Sequence, residues 1–196
     1  GNGESRKGLD LPQLFPKYTL VGCNAVHRDM TVEHLVCCDR RMVHESTEGL
    51  NTTDTKIYVR EENYQYFRKV RKDKRIHAVP ELPYTDEQKQ NQPINWGSGP
   101  YAVLVAANLE SDEITLLGFD LYGINEKVNN LYKGTDNYSD EHSHPIDPSF
   151  WVRQIGLIFK HFPNKQFIIK NMHEWDFPAQ WKKPNVRFEQ FFKSIS

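Results

Sequence analysis

The sequence is short of the features that sort a chain quickly into a class. In 196 residues there are three cysteines, Cys23, Cys37 and Cys38, two of them adjacent and all in or beside apolar runs. An odd, clustered set of that kind does not make a disulfide framework. It reads as small buried hydrophobes, which fits a reducing, cytoplasmic setting. Long apolar runs are also missing: stretches such as Tyr101 to Ala107 and Ile155 to Phe159 fall far below the roughly 20 residues that span a bilayer. There is no excess of either charge. The 25 Lys and Arg against 26 Asp and Glu leave a formal net charge of -1, so no overall field draws in nucleic acid or anionic lipid, and neither is expected as a partner. No internal repeat, low-complexity segment or basic-then-apolar leader is visible.

What remains is a polar chain that should still fold. Apolar residues make up 38% and charged residues 26%, far from the low hydrophobicity and high net charge of disorder. The length suits one domain over residues 1–196. Tyr18 to Cys23 and Glu33 to Cys38 are rich in β-formers and end at Asn24 and Asp39. Lys56 to Arg60 and Arg75 to Val79 predict two more strands, separated by Asn63 to Val70, where Tyr64, Phe67 and Val70 recur at helical intervals. Prolines and polar residues over about 80–96 predict a long loop. Gly97-Ser98-Gly99-Pro100 then leads into an apolar helix with proline at its first position. Glu113 to Phe119 predicts a strand ending at Asp120, and 123–146 a second lid-like loop. Asp147-Pro148-Ser149 starts an amphipathic helix, with the proline just inside, that stops near Pro163. Gln166 to Asn171 is a further strand, and Val186, Phe188, Phe191 and Phe192 are expected on a terminal helix.

Strands alternating with helices predict an α/β fold, an open and mostly parallel Rossmann-like sheet with helices on both faces. Such sheets bind ligands at the C-terminal ends of their strands, so Asn24, Asp39 and Asp120 should line one edge. Those side chains suit a base, a ribose or a phosphate-linked sugar, and equally an ordinary strand-end cap. Gly1-Asn2-Gly3-Glu4-Ser5 has the glycines of a phosphate-facing loop without a complete dinucleotide fingerprint, and a flexible terminus is the other reading. A strand made of a few residues before Gly1 is expected to complete the sheet. Ser98 and Gly99 sit in a second turn that presents amides and a hydroxyl to an anion, or simply joins loop to helix. Asp120 and Tyr122 suit ribose hydroxyls and a phosphate. His142 and His144 lie among acids before a helix, where one of them can act as a general base, the pair can hold a metal, or both can be solvated. His173-Glu174-Trp175-Asp176 and the basic run Arg68 to Arg75 read as surface structure, the latter with some scope for an anionic acceptor or a local contact with nucleic acid.

The order of these pieces resembles bacterial lipooligosaccharide sialyltransferases. That family's G-N-G-P-S-L loop matches Gly1 to Arg6, its strand ending in C-N matches Cys23-Asn24, and its strand ending in Asn-Pro falls at Asp39-Arg40. Its T-S-G-x-Y resembles Gly97 to Tyr101, its G-x-D-x-Y resembles Gly118 to Tyr122, and its His-Ser pair five residues before a helix-starting Asp matches His142-Ser143 and Asp147. The resemblance covers nearly the whole chain. It implies a glycosyltransferase-like protein that moves a sialic acid-like sugar from a CMP-activated donor to a glycan or other hydroxyl acceptor. It implies that Asn2, Gly3, Ser5, Asn24, Asp39, Ser98, Gly99 and Asp120 hold the nucleotide, that Tyr122 assists the departing phosphate, and that His142 is the base. No metal or further cofactor is expected, and an oligomer is compatible. Two departures stand out. Asn95 lies near the place of a family arginine, and the family's lid tyrosine has no counterpart at the same spacing, with Tyr132 or Tyr138 as substitutes. A catalytically decayed nucleotide-binding or interaction module is therefore a second expectation. A Mg²⁺-dependent phosphate or pyrophosphate transferase using Asp39 and Asp120 is a third.

Overall fold

Among the described residues, seven short runs of β-forming residues become seven strands, all paired in parallel. In order they are β1 (Val21–Cys23), β2 (His34–Val36), β3 (Lys56–Val59), β4 (Ile76–Ala78), β5 (Glu113–Leu117), β6 (Gln166–Asn171) and β7 (Val186–Gln190). The structure, a computed structural model, describes residues 1–14, 16–50, 54–84, 92–173 and 175–190. Among them β1-β2-β3-β4 form one sheet and β5-β6-β7 a second, each in sequence order. Parallel neighbours need crossovers. Helices α2 (Arg40–Gly49), α3 (Glu61–Tyr64) and α5 (Ser149–His161) lie in three of them, α4 (Ser98–Ala107) lies between β4 and β5 and so leads from one sheet to the other, and α1 is a four-residue turn at Leu11–Leu14.

Alternation along β2 places helices on both faces. Leu35 and Cys37 pack with Met42 and Val43 of α2 and with Phe67. Val36 and Cys38 point the other way, into the cluster built on α4 and α5. Eight of the ten α4 residues are buried, which is why that helix is apolar all round rather than on one stripe. It packs against β1, β2 and β5, so it bridges the two sheets. All three cysteines are free and buried. Burial pushes the Cys38 thiol up to about 12, consistent with small apolar packing rather than reactivity. Among the described residues no helix is long and apolar enough to cross a membrane.

The structure corrects several sequence expectations. Residues 186–190 form β7, paired with β6 from Phe167↔Val186 to Asn171↔Gln190, not a helix. The segment Val-Arg-Phe-Glu-Gln has period-two alternation, and Phe188 stacks on Phe177 at 6.0 Å. Phe191 and Phe192, whose aromatic weight points to a helix, lie outside the described residues, as do part of the 80–96 loop and Glu174. Val70 is exposed although Phe67 is buried. The helix changes at Gln65 to wider π-type turns, in which Arg71 N donates to Tyr66 O, and this rotates Val70 off the buried face. α4 starts at Ser98, so Pro100 is its third residue. Pro148 caps α5 from outside. Helix α2, for which the sequence carries little signal, buries only Met42, Val43 and Ser46.

Candidate functional site

Where β1, β2 and β5 end, their polar terminal residues meet the start of α4 around a crevice of about 690 Å³, within the size range of small-molecule sites. Of the residues singled out in the sequence, Asn2, Gly3, Asn24, Asp39, Ser98, Gly99, Asp120 and Tyr122 line it. Ser5 and His142 do not.

Asp120 is the fixed point. Its side chain is buried, and one carboxylate oxygen accepts the Ser5 N–H at 2.9 Å while the other accepts the Ser5 hydroxyl and, at 3.4 Å, Asn171 Nδ2. Ser5 therefore acts behind the wall, tying the first loop to the end of β5. Gly3 has to be glycine at this point, because a Cβ there would come within 2.4 Å of the Asp120 carboxyl group. Asn171 Nδ2 also donates to the Tyr122 hydroxyl at 3.1 Å, so β6 holds the tyrosine that borders the crevice. Burial pushes the Tyr122 hydroxyl above the ordinary tyrosine range, so near neutrality it is a hydrogen-bond donor. Sequence reasoning missed Asn171. The signal was present, since it ends a strand in the way Asn24 does.

Backbone strain collects at the same place. Asn24 (φ 50°) and Leu121 (φ 41°) are non-glycine residues in the left-handed region, just beyond β1 and β5, and both line the crevice. Such residues persist only where the surroundings hold them, and they concentrate at ligand sites. Two side-chain atoms in the lining, Asn24 Oδ1 and Asn129 Nδ2, are buried without a hydrogen-bond partner. Each carries an uncompensated desolvation cost.

Helix α4 turns its N-terminus to the crevice. Gly97 caps it without a side-chain hydrogen bond to the first-turn amides, and Ser98 Oγ accepts the Cys38 N–H at 2.9 Å, fixing the helix start against the end of β2. Uncapped amides and the helix dipole favour an anion there. Among the described residues, the single Lys or Arg in the lining is Lys133. It pairs with Glu4 at 2.5 Å.

The 123–146 segment forms the opposite wall and is docked on the first loop. Leu131 N donates to Asn2 O at 2.8 Å, Glu4 N to Asn129 Oδ1 at 2.8 Å, and the Tyr138 hydroxyl receives Asn2 Nδ2 and Ala25 N, each at 3.2 Å. Beneath them Arg6, only 4% exposed, reaches Gly1 O at 2.6 Å, Asn2 Oδ1 at 3.2 Å and the Tyr132 hydroxyl at 2.9 Å. Of the two substitute tyrosines, Tyr138 borders the crevice and Tyr132 stands behind it. Arg6, Asn129 and Lys133 carried no pattern that marked them in the sequence.

His142 is exposed at the outer edge of this segment. Its Nε2 lies 3.5 Å from Glu141 and its Nδ1 3.3 Å from Lys127 Nζ. His144 is exposed as well. Asp39 keeps an open carboxylate at the rim, 3.6 Å from Arg60, whereas both Asp120 oxygens are already engaged. The two acids thus do not present a free pair to one cation, and among the described residues no cluster of three or more His, Cys, Asp or Glu stands ready for a metal.

Comparison with family models, with curated proteins and with solved structures finds no match.

Proposed function

We infer that the crevice binds a nucleotide-activated sugar of the CMP-sialic acid type, and that the protein is glycosyltransferase-like, passing the sugar to a glycan or other hydroxyl acceptor. The observation that carries this reading is the convergence of the ends of β1, β2 and β5 on the uncapped start of α4, with strained backbone at Asn24 and Leu121. The α4 amides and Lys133 suit the phosphate. Asn24, Asn129 and Asn2 offer hydrogen bonds to base and ribose, and the Tyr122 hydroxyl can donate to the departing phosphate. The resemblance to the sialyltransferases narrows the ligand from any phosphate to a CMP-sugar.

Transfer needs a base near the acceptor. The resemblance gives that task to His142, while Asp39 is the open carboxylate in the crevice lining. A positioned base contributes about two to four powers of ten in rate. The position of His142 outside the crevice favours a second reading, in which the same site binds nucleotide-sugars without turnover. Calorimetric titration with CMP and CMP-sialic acid, paired with a transfer assay on wild type, His142→Ala and Asp39→Asn, separates them. Binding with transfer that collapses in one variant supports the enzyme. Binding without transfer leaves the module, and no binding removes both. A strict need for Mg²⁺ and a triphosphate would favour the phosphotransferase reading instead.

A further inference from the structure

The crevice wall built by the 123–146 segment is held from behind by a side chain outside the lining, Glu45 of α2. Its two carboxylate oxygens accept the Arg28 guanidinium in parallel, from Nε at 2.6 Å and Nη2 at 2.7 Å. The same guanidinium donates onward to Thr135 Oγ1 at 2.8 Å and to Asp136 O at 3.0 Å, so the pair pins the segment to α2. A two-pronged ion pair of this kind fixes the carboxylate in direction as well as in place. The hydrogen bonds from Arg28 hold the Glu45 carboxyl below the usual carboxylate range. Near neutrality it is ionised and can only accept.

Two asparagines of the lining lean on that carboxylate. Asn137 Nδ2 donates to Glu45 Oε2 at 2.8 Å. Asn24 is braced at one remove, because His27 Nδ1 lies 2.9 Å from Asn24 O and His27 Nε2 lies 3.4 Å from Glu45 Oε1. Both asparagines are in the left-handed region, at φ 66° and 50°, a conformation that their surroundings have to hold. The bond to Glu45 also decides which way round the Asn137 amide sits. A carboxylate has nothing to donate to the amide oxygen, so Nδ2 faces Glu45 and the oxygen is what this side chain offers to a ligand. Asn129 is set in the opposite sense: its Oδ1 accepts the Glu4 N–H at 2.8 Å, and its Nδ2 is buried without a hydrogen-bond partner. The lining thus carries one fixed acceptor and one fixed donor. An amino group beside a ring nitrogen, as on cytosine and adenine, complements that pair, whereas the carbonyl beside a ring N–H of uracil reverses both members.

We propose that Glu45 is a positioning residue that sets base selectivity: by fixing the Asn137 amide with its oxygen free, it makes the crevice prefer a nucleotide whose base carries an amino group over one whose base carries a carbonyl at that place. The proposal rests on the reading of the crevice as a nucleotide site, and adds to it the contact that reads the base. Glu45 touches no ligand itself. It acts through Asn137, with Asn24 steadied by the same carboxylate.

The test is calorimetric titration of CMP and UMP, which differ only on that edge of the base, on wild type, Glu45→Gln, Asn137→Ala and the double variant. Wild type is expected to bind CMP more tightly than UMP by about tenfold or more, the scale of one hydrogen bond made or mismatched. Glu45→Gln puts an amide that can turn either way in place of the carboxylate, and should bring the ratio close to one, chiefly by loss of CMP affinity. Asn137→Ala should do the same, and the double variant should lose no more than either single one. Equal weakening of both nucleotides in Glu45→Gln gives the residue a merely structural role and overturns the proposal, as does additivity in the double variant. Asn137 is exposed, so its variant should fold even where Glu45→Gln does not, and an unchanged ratio in Asn137→Ala defeats the proposal by itself. Wild type that binds CMP and UMP equally also defeats it and leaves the nucleotide site standing. Wild type that binds neither removes the nucleotide reading, and this proposal with it.

Discussion

The two cavities on either side of Gly1 share that residue, Cys23 and Phe119 in their linings, yet they differ in kind. The cavity of about 490 Å³ between β1 and β5 is bounded by the sides of strands and by small apolar groups of α4. The crevice is bounded by the ends of strands, by a helix start and by asparagines. A strand side offers backbone N–H and C=O groups. A strand end offers side chains and loose amides, the groups that suit a polar ligand. One peptide, Gly1 to Gly3, divides the two, and substitutions can show whether they are energetically separate.

The largest effect is expected from Asp120→Ala. It leaves the Ser5 N–H and hydroxyl and Asn171 without their acceptor, at a cost of about 3 kcal/mol in denaturant unfolding. Nucleotide affinity should fall by about a hundredfold or more, because the first loop and Tyr122 lose their anchor. If affinity survives while stability falls, the crevice does not hold the nucleotide. Next comes the dividing peptide itself. In a chain prepared to start at Gly1, the unfolded state keeps the Gly1 ammonium up to about pH 8, whereas the folded state keeps it only below about 6. The unfolded state thus binds more protons between those values, so stability rises with pH across that window, by about 2–3 kcal/mol. N-terminal acetylation should flatten the rise, and Asp120→Ala should not.

Gly3→Ala sits on the dividing peptide, where the added Cβ meets the Asp120 carboxyl group. A loss of about 1–3 kcal/mol is expected, with weaker nucleotide binding. Asn24→Gly separates stability from function: relief of the left-handed strain and of the buried Asn24 Oδ1 should raise stability by about 1 kcal/mol. Calorimetry should show affinity falling at the same time. A joint rise would make Asn24 a bystander. His142→Ala is expected to change stability by less than about 0.5 kcal/mol, since its contacts are exposed.

Much of the fold was legible because strands buried in parallel sheets announce themselves by β-branched runs closed with polar residues. Six of the strands are marked that way in the sequence, and their polar ends place Asn24, Asp39 and Asp120 on one edge. β7 was misread because Phe191 and Phe192 outweighed the alternation of Val186 and Phe188. α2 was missed because a helix that buries three residues leaves little periodicity. In the site, residues at strand ends were readable from local pattern. Arg6, Asn129 and Lys133 were not, because they are brought in by contacts more than a hundred residues apart in sequence. His142 was selected by a motif, and local spacing says nothing about where a long segment turns its side chains.

The Arg6 guanidinium, out of contact with water and shared among Gly1, Asn2 and Tyr132, has a consequence for how fast and how selectively the crevice fills. The loop and the 123–146 wall it joins lose their conformational freedom when the chain folds, not when a ligand arrives. Ordering entropy is then absent from the binding step, and encounter need not wait for the wall to assemble. Discrimination between related nucleotides should therefore show itself in dissociation rates, with association rates nearly common to all of them.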